Sequence, residues 1–164
     1  MRIIASLTAP WSRNPRVLRI VLGAYVAVLA VVGFFPSPVD RPIAAPLSRI
    51  IQWCGQHGLG FITYARVEFG ANIALFVPLG MLIALLFGPR RWWRAPVICF
   101  VATVIIELGQ GALLPQRVAS IGDVIANTIG GMLGALAAVA IMGAVARHRG
   151  LEPHSPGSGD NPPL

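Results

Sequence analysis

Long runs of apolar residues alternate with short polar or proline-containing segments along this 164-residue chain. A helix needs about 20 predominantly apolar residues to cross the hydrocarbon core of a bilayer. Four runs approach or reach that length, and each is followed by a proline or an arginine. The pattern therefore predicts an all-α fold, a polytopic membrane helix bundle with transmembrane helices at about 17–35, 69–88, 95–114 and 124–146.

The segment between the first and second spans carries a second, shorter helical pattern. Its apolar residues recur at i, i+3, i+4 and i+7, at Leu47, Ile50, Ile51 and Cys54. This spacing predicts a short amphipathic helix, either lying on the outer membrane face or packed over the end of the bundle. The last segment, 150–164, is rich in proline, glycine and serine, which predicts a disordered cytoplasmic tail after a transmembrane domain of residues 1–149.

The charge composition excludes several classes of protein. Only 12% of the residues are charged, the net charge is +7, and every basic residue is an arginine. Without lysine the chain has neither the lysine of a nucleotide-binding phosphate loop nor one that could form a Schiff base. The arginines lie in groups between apolar runs, which argues against a nucleic-acid-binding surface. Nine arginines fall on one side of the predicted bundle and four on the other, so both termini are predicted to be cytoplasmic.

Polar residues inside the predicted spans indicate a site. Because successive spans run in opposite directions, these residues fall at one depth, just below the outer surface. A carboxylate that faces lipid costs about 2.5–3.5 kcal/mol, so Glu107 is expected to face the bundle interior. We predict a polar ligand-binding pocket formed by Asn72, Glu107, Gln110, Asp123 and Asn127, with Arg117 of the following loop leaning over it.

Each of these residues also has a structural interpretation. Asn72, Gln110 and Asn127 could join helices by hydrogen bonds. Asp123 follows Ser120 at the spacing of a capping box, which would place it at the positive end of the fourth helix. Glu107 has the weakest structural explanation, because a lone buried carboxylate is a poor device for stability.

Small residues follow in the fourth span. Gly130, Gly131 and Gly134 form a surface for close helix packing, either within the bundle or between two chains of a homo-oligomer. The histidines have no metal-ligand spacing, so we expect no metal site and no required cofactor.

The polar residues also form a family pattern. In order and spacing, the chain resembles the VanZ-like family of bacterial membrane proteins, whose type member is associated with resistance to the lipoglycopeptide teicoplanin. The resemblance rests on Asn72 to Gly80 (NIALFVPLG), Glu107 to Gln110 (ELGQ), Arg117, Asp123 to Thr128 (DVIANT), and the glycines at 130, 131 and 134.

The resemblance implies a role in the bacterial cell envelope, in the cytoplasmic membrane. Our first hypothesis is binding of a lipid-linked wall precursor or a lipoglycopeptide such as teicoplanin, with a role in glycopeptide resistance. Arg117 and the positive end of the fourth helix would then hold a phosphate or carboxylate. The alternative is an enzyme that modifies an envelope lipid at the outer face, for which His57 is the only histidine on that side. The partners expected are membrane lipids, and no nucleic acid.

Overall fold

The architecture was analysed in a computed structural model, which describes residues 14–34, 44–114 and 120–150. These residues form five α-helices and one 3-10 turn, with no strand among them. The helices are α1 (Pro15–Phe34), α2 (Ala44–Gln56), α3 (Tyr64–Phe87), α4 (Arg94–Leu113) and α5 (Ile121–Gly150), with the 3-10 turn at Pro89–Arg91. All but α2 are long and apolar enough to cross a membrane, which confirms the predicted fold class. Arg117 and the tail after residue 150 lie outside the described residues.

Two helices begin earlier than the hydrophobic pattern predicts, because a hydroxyl side chain caps each of them. Thr63 accepts a hydrogen bond from the backbone N–H of Arg66, so α3 begins at Tyr64 rather than at residue 69. Ser120 accepts one from the backbone N–H of Asp123, so α5 begins at Ile121 rather than at residue 124. Hydropathy locates the apolar part of a span, whereas capping decides where the helix starts.

The centre of the bundle is the close contact between α3 and α5. A side chain at Gly134 would meet the carbonyl oxygen of Val77, and one at Gly130 would meet that of Ile73. Gly80 faces the backbone of Gly131, and Gly131 in turn faces the side chain of Cys99 in α4. Because these glycines have no side chains, the backbones of α3 and α5 come into contact and α4 packs closely against both.

The glycines at 130, 131 and 134 are buried within the chain by these contacts. Of the two predicted uses of this surface, the structure shows packing inside the bundle. Association of two chains stays a prediction, and it would have to use other residues.

The interior of the bundle combines alanine and cysteine side chains with a few larger apolar ones, and many other apolar side chains lie on its outside. The buried cluster includes Phe76, Leu79 and Ile83 of α3 and Ala135 of α5. α1 joins it through Leu29 and through a 2.7 Å hydrogen bond from the Tyr25 hydroxyl to the carbonyl oxygen of Leu75. Apolar side chains stay exposed along the spans, among them Ile20, Ile105, Leu108 and Ile121. A bilayer is the solvent that suits such a surface.

The predicted short helix between the first two spans is present as α2. Cys54 is buried, whereas Ile50 and Trp53 are 58% and 56% exposed. A partly open apolar face agrees with the amphipathic spacing, and its position on the outer membrane surface stays a prediction.

Candidate functional site

One cavity lies between α1, α3, α4 and α5 and has a volume of about 410 Å³. This volume falls within the range of small-molecule sites. We call it the polar cavity. Its apolar lining residues are Leu29, Val32, Gly33, Ala71, Leu75, Phe76 and Ile106, and its polar ones are Glu68, Asn72, Glu107, Gln110, Asp123 and Asn127.

Five of the six residues predicted for the pocket line this cavity, and Arg117 is the sixth, outside the described residues. The antiparallel arrangement explains their convergence. Asn72 comes from the first half of α3, Glu107 and Gln110 from the last two turns of α4, and Asp123 and Asn127 from the beginning of α5. All three segments meet at the same end of the bundle.

Glu68 also lines the cavity, although it was not included in the predicted pocket. The hydrophobic pattern started the second span at residue 69, so it assigned Glu68 to the preceding loop. Because α3 begins at Tyr64, Glu68 lies one helical turn before Asn72 and on the same face. The available signal was Thr63, which is a preferred helix-capping residue five positions earlier.

The side chain of Glu107 in α4 forms a hydrogen bond with Ser120, the residue that directly precedes α5. Its side chain is buried, with 5% of its surface exposed, and Oε2 accepts a 2.7 Å hydrogen bond from the backbone N–H of Ser120. The capping box predicted for Ser120 and Asp123 is thus divided. Ser120 Oγ accepts from the Asp123 N–H as expected, whereas the Ser120 N–H is bound by Glu107 instead of Asp123. The carboxylate has the structural role that the sequence argument considered weak.

Gln110 binds a backbone group at the end of another neighbouring helix, α1. Its Nε2 donates a 2.8 Å hydrogen bond to the carbonyl oxygen of Gly33. Gly33 is the penultimate residue of α1, where the carbonyl groups have no partner within their own helix. One stripe of α4 therefore caps the end of α1 through Gln110 and the start of α5 through Glu107.

Asn127 is held by a third interhelical bond, because its Nδ2 donates to the hydroxyl of Thr103 in α4 over 2.8 Å. The amide oxygen of Asn127, in contrast, has no such bond. Oδ1 is buried and has no hydrogen-bond partner in the described part of the chain. The residue lines the cavity and is 6% exposed, whereas this oxygen is itself buried.

The electrostatic character of the cavity comes from three carboxylate side chains, those of Glu68, Glu107 and Asp123. None of the described lining residues is basic. The positive end of α5, predicted to help hold an anion, already faces the carboxylate of Glu107 and carries Asp123 in its first turn. Among the described residues, the lining therefore presents carboxylate and amide side chains and no cation that could hold an anion.

The position of His57 bears on the alternative hypothesis of an enzyme. His57 lies just after α2, where its ring stacks on Trp53 with centroids 4.1 Å apart and its Nδ1 lies 2.8 Å from the Trp53 carbonyl oxygen. It is not among the cavity-lining residues. Within the ranges that the structure describes, no group of His, Cys, Asp and Glu side chains could hold a metal ion.

Comparison with known proteins gives one match. A sequence model of the VanZ/LLP1 family matches residues 22–142, which include the second and third spans, most of the first and fourth, and every described residue of the polar cavity. No curated protein and no solved structure matches the chain significantly.

Proposed function

The chain is a membrane protein that belongs to the VanZ/LLP1 family, and we propose that it binds a lipid-linked ligand of the bacterial cell envelope in the polar cavity. The observation that carries the proposal is the composition of that cavity. Polar side chains of α3, α4 and α5 meet apolar side chains of α1, α3 and α4 within one volume of about 410 Å³. Such a wall suits a molecule with a polar head and an acyl tail.

The cavity is assigned to the outer leaflet by the distribution of arginine. It lies at the end of the bundle where α3 begins, α4 ends and α5 begins. The turn at the opposite end, between α3 and α4, carries Arg90, Arg91 and Arg94. Because arginine prefers the cytoplasmic side, this cluster supports a topology in which that turn and both termini lie inside.

The ligands that we propose are a lipid-linked cell-wall precursor and a lipoglycopeptide such as teicoplanin. Both combine a long hydrocarbon chain with a large polar group that carries hydrogen-bond donors. Binding of such a molecule at the outer face would give the protein a role in glycopeptide resistance, as the family pattern implies.

Native mass spectrometry of the lipids that co-purify with the protein tests the proposal. Glu107→Gln is the informative variant, because it removes the charge while its amide oxygen can still accept from the Ser120 N–H. Leu108→Ala is the matched control, since Leu108 is the next residue of α4 and is 66% exposed on the outside of the bundle. We expect the wild type and Leu108→Ala to retain the same lipid and Glu107→Gln to lose it.

Equal lipid retention by folded Glu107→Gln, Asn72→Ala and wild type would overturn the proposal. Conversion of the bound lipid by the purified wild type would favour the alternative, an enzyme of envelope lipids.

A further inference from the structure

We propose that the turn between α3 and α4 binds the anionic phosphodiester headgroup of a membrane phospholipid, with Arg94 as the central cation. This turn lies at the end of the bundle opposite to the polar cavity, because α3 begins at the cavity and ends at the turn. The inference therefore concerns a second site and does not depend on the proposed function. In the topology argued above, the lipid belongs to the cytoplasmic leaflet.

Acidic and basic residues lie at opposite ends of α3 and α4. The three acidic residues of the described ranges all line the polar cavity. The turn instead carries Arg90, Arg91 and Arg94 within five residues. Within the part of the chain that the structure describes, their guanidinium groups form neither a hydrogen bond nor an ion pair. The positive charge of the turn can thus be balanced by an anion from the surroundings.

The guanidinium group of Arg94 is held in place by two aromatic rings. Its central carbon lies 5.1 Å from the centroid of the Phe87 ring and 5.7 Å from that of the Trp93 ring. Such cation–π contacts fix the cation without neutralising it. They also leave its N–H groups available, and the planar guanidinium presents these donors in a fork that matches two phosphate oxygens.

The backbone of the turn is ordered as well. Gly88 has a φ of 78°, a conformation that favours glycine, and its N–H donates a 2.8 Å hydrogen bond to the Ala84 carbonyl oxygen. Pro89 then begins the 3-10 turn, and the Trp92 side chain packs against the buried cluster of the bundle. An ordered turn presents Arg94 at a defined position, so binding of a headgroup has a small entropic cost.

An apolar surface continues from Arg94 along α4, which distinguishes a phospholipid from a soluble phosphate. Ile98, Val101 and Ile105 follow Arg94 at i+4, i+7 and i+11, so they share its face of the helix. All three are exposed on the outside of the bundle. A phospholipid whose phosphate contacts Arg94 can lay an acyl chain along this stripe.

Three lipids with identical acyl chains measure the preference of the full chain by native mass spectrometry. Phosphatidylglycerol carries a net negative phosphodiester, phosphatidylcholine carries a phosphodiester with a cation attached, and diacylglycerol has no phosphate. One arginine near an anionic surface contributes about a fivefold gain in binding. We therefore expect phosphatidylglycerol to be retained at least about fivefold over phosphatidylcholine, and diacylglycerol to be retained least.

Substitutions separate Arg94 from the general effect of positive charge. Arg94→Gln should lower phosphatidylglycerol binding about fivefold. Arg94→Lys keeps the charge without the planar fork and should fall between Arg94→Gln and the wild type. Phe87→Leu keeps every arginine but removes one of the rings that hold Arg94, so it should lower binding at least about twofold. Arg16→Gln is the matched control, since it removes an equal charge from an exposed position of α1 and should leave the preference unchanged.

The outcomes decide between a defined site and net charge alone. Equal losses in Arg94→Gln and Arg16→Gln would overturn the assigned site. An unchanged preference in both Arg94→Lys and Phe87→Leu, with wild-type helical content by circular dichroism, would also overturn it. Displacement of phosphatidylglycerol by soluble glycerophosphoglycerol at equal concentration would reject a lipid as the occupant. Glu107→Gln should keep the phosphatidylglycerol preference, and its loss there would contradict a site separate from the polar cavity.

Discussion

The backbone N–H of Ser120 donates a 2.7 Å hydrogen bond to the carboxylate of Glu107, thirteen residues earlier in the chain. Three residues along the same stripe of α4, Gln110 binds the carbonyl oxygen of Gly33 near the end of α1. Polar side chains inside this membrane bundle therefore complete two helix ends as well as line a cavity. Both roles require the same location, because the helix ends and the polar cavity meet at one end of the bundle.

The capping role predicts that two substitutions of Glu107 differ in stability. Glu107→Leu leaves the part-buried Ser120 N–H without an acceptor and should lower the free energy of unfolding by about 1–3 kcal/mol. Glu107→Gln keeps an acceptor oxygen and should cost clearly less. Circular dichroism during titration with a denaturing detergent measures both, and Leu108→Ala serves as the control for α4. Equal losses for Leu and Gln would show that charge, not the hydrogen bond, is what α5 requires.

Close packing of α3 on α5 predicts a position-dependent effect of alanine. Gly134→Ala places a methyl group against the Val77 carbonyl oxygen, which forces the helices apart and should cost about 1–3 kcal/mol. Gly143→Ala lies on the same helix with nothing within 4 Å of the new carbon. There alanine should leave stability unchanged or raise it by up to about 1 kcal/mol. A comparable loss at both sites, in the same unfolding assay, would contradict the described packing.

The contact between α1 and the rest of the bundle includes few polar bonds, so each should be measurable. Tyr25→Phe removes only the hydroxyl that donates to the Leu75 carbonyl oxygen, a hydrogen bond of 2.7 Å. We expect a loss of about 0.5–1.5 kcal/mol, the usual net value of one such bond. Val26→Ala, at an exposed position of the same helix, is the control and should change stability less. An unchanged unfolding midpoint in Tyr25→Phe would mean that this hydrogen bond does not help to hold α1 in the bundle.

The orientation inferred from arginine can be checked by labelling single cysteines. In a chain with Cys54→Ser and Cys99→Ala, an impermeant maleimide added to intact spheroplasts should label His57→Cys. It should label Arg90→Cys only after the membrane is opened. Both positions are exposed, so accessibility depends on the side of the membrane. The reverse result would invert the topology and place the polar cavity in the inner leaflet, against the proposed function.

Some of the site was predictable because it depends on local chemistry and helix direction. Alternating spans bring Asn72, Glu107 and Asn127 to one depth whatever their partners are. Glu68 could not be recognised by hydropathy, since the start of α3 depends on the Thr63 cap rather than on apolar content. The partner of Gln110 was equally hidden, because Gly33 is 77 residues away and contributes only a backbone carbonyl.

The amino-acid sequence by itself determined that the chain is an all-helical membrane protein and that its polar groups gather at one end. Both conclusions follow from the length of the apolar runs and the alternating direction of the spans, and neither requires knowledge of contacts. The tertiary structure alone decided which atoms bind each other. It directs Glu107 to a helix cap, buries the glycines inside the bundle and leaves one buried oxygen of Asn127 without a hydrogen-bond partner among the described residues. Hydrogen bonds depend on the relative positions of separate helices, and a linear pattern does not contain those positions.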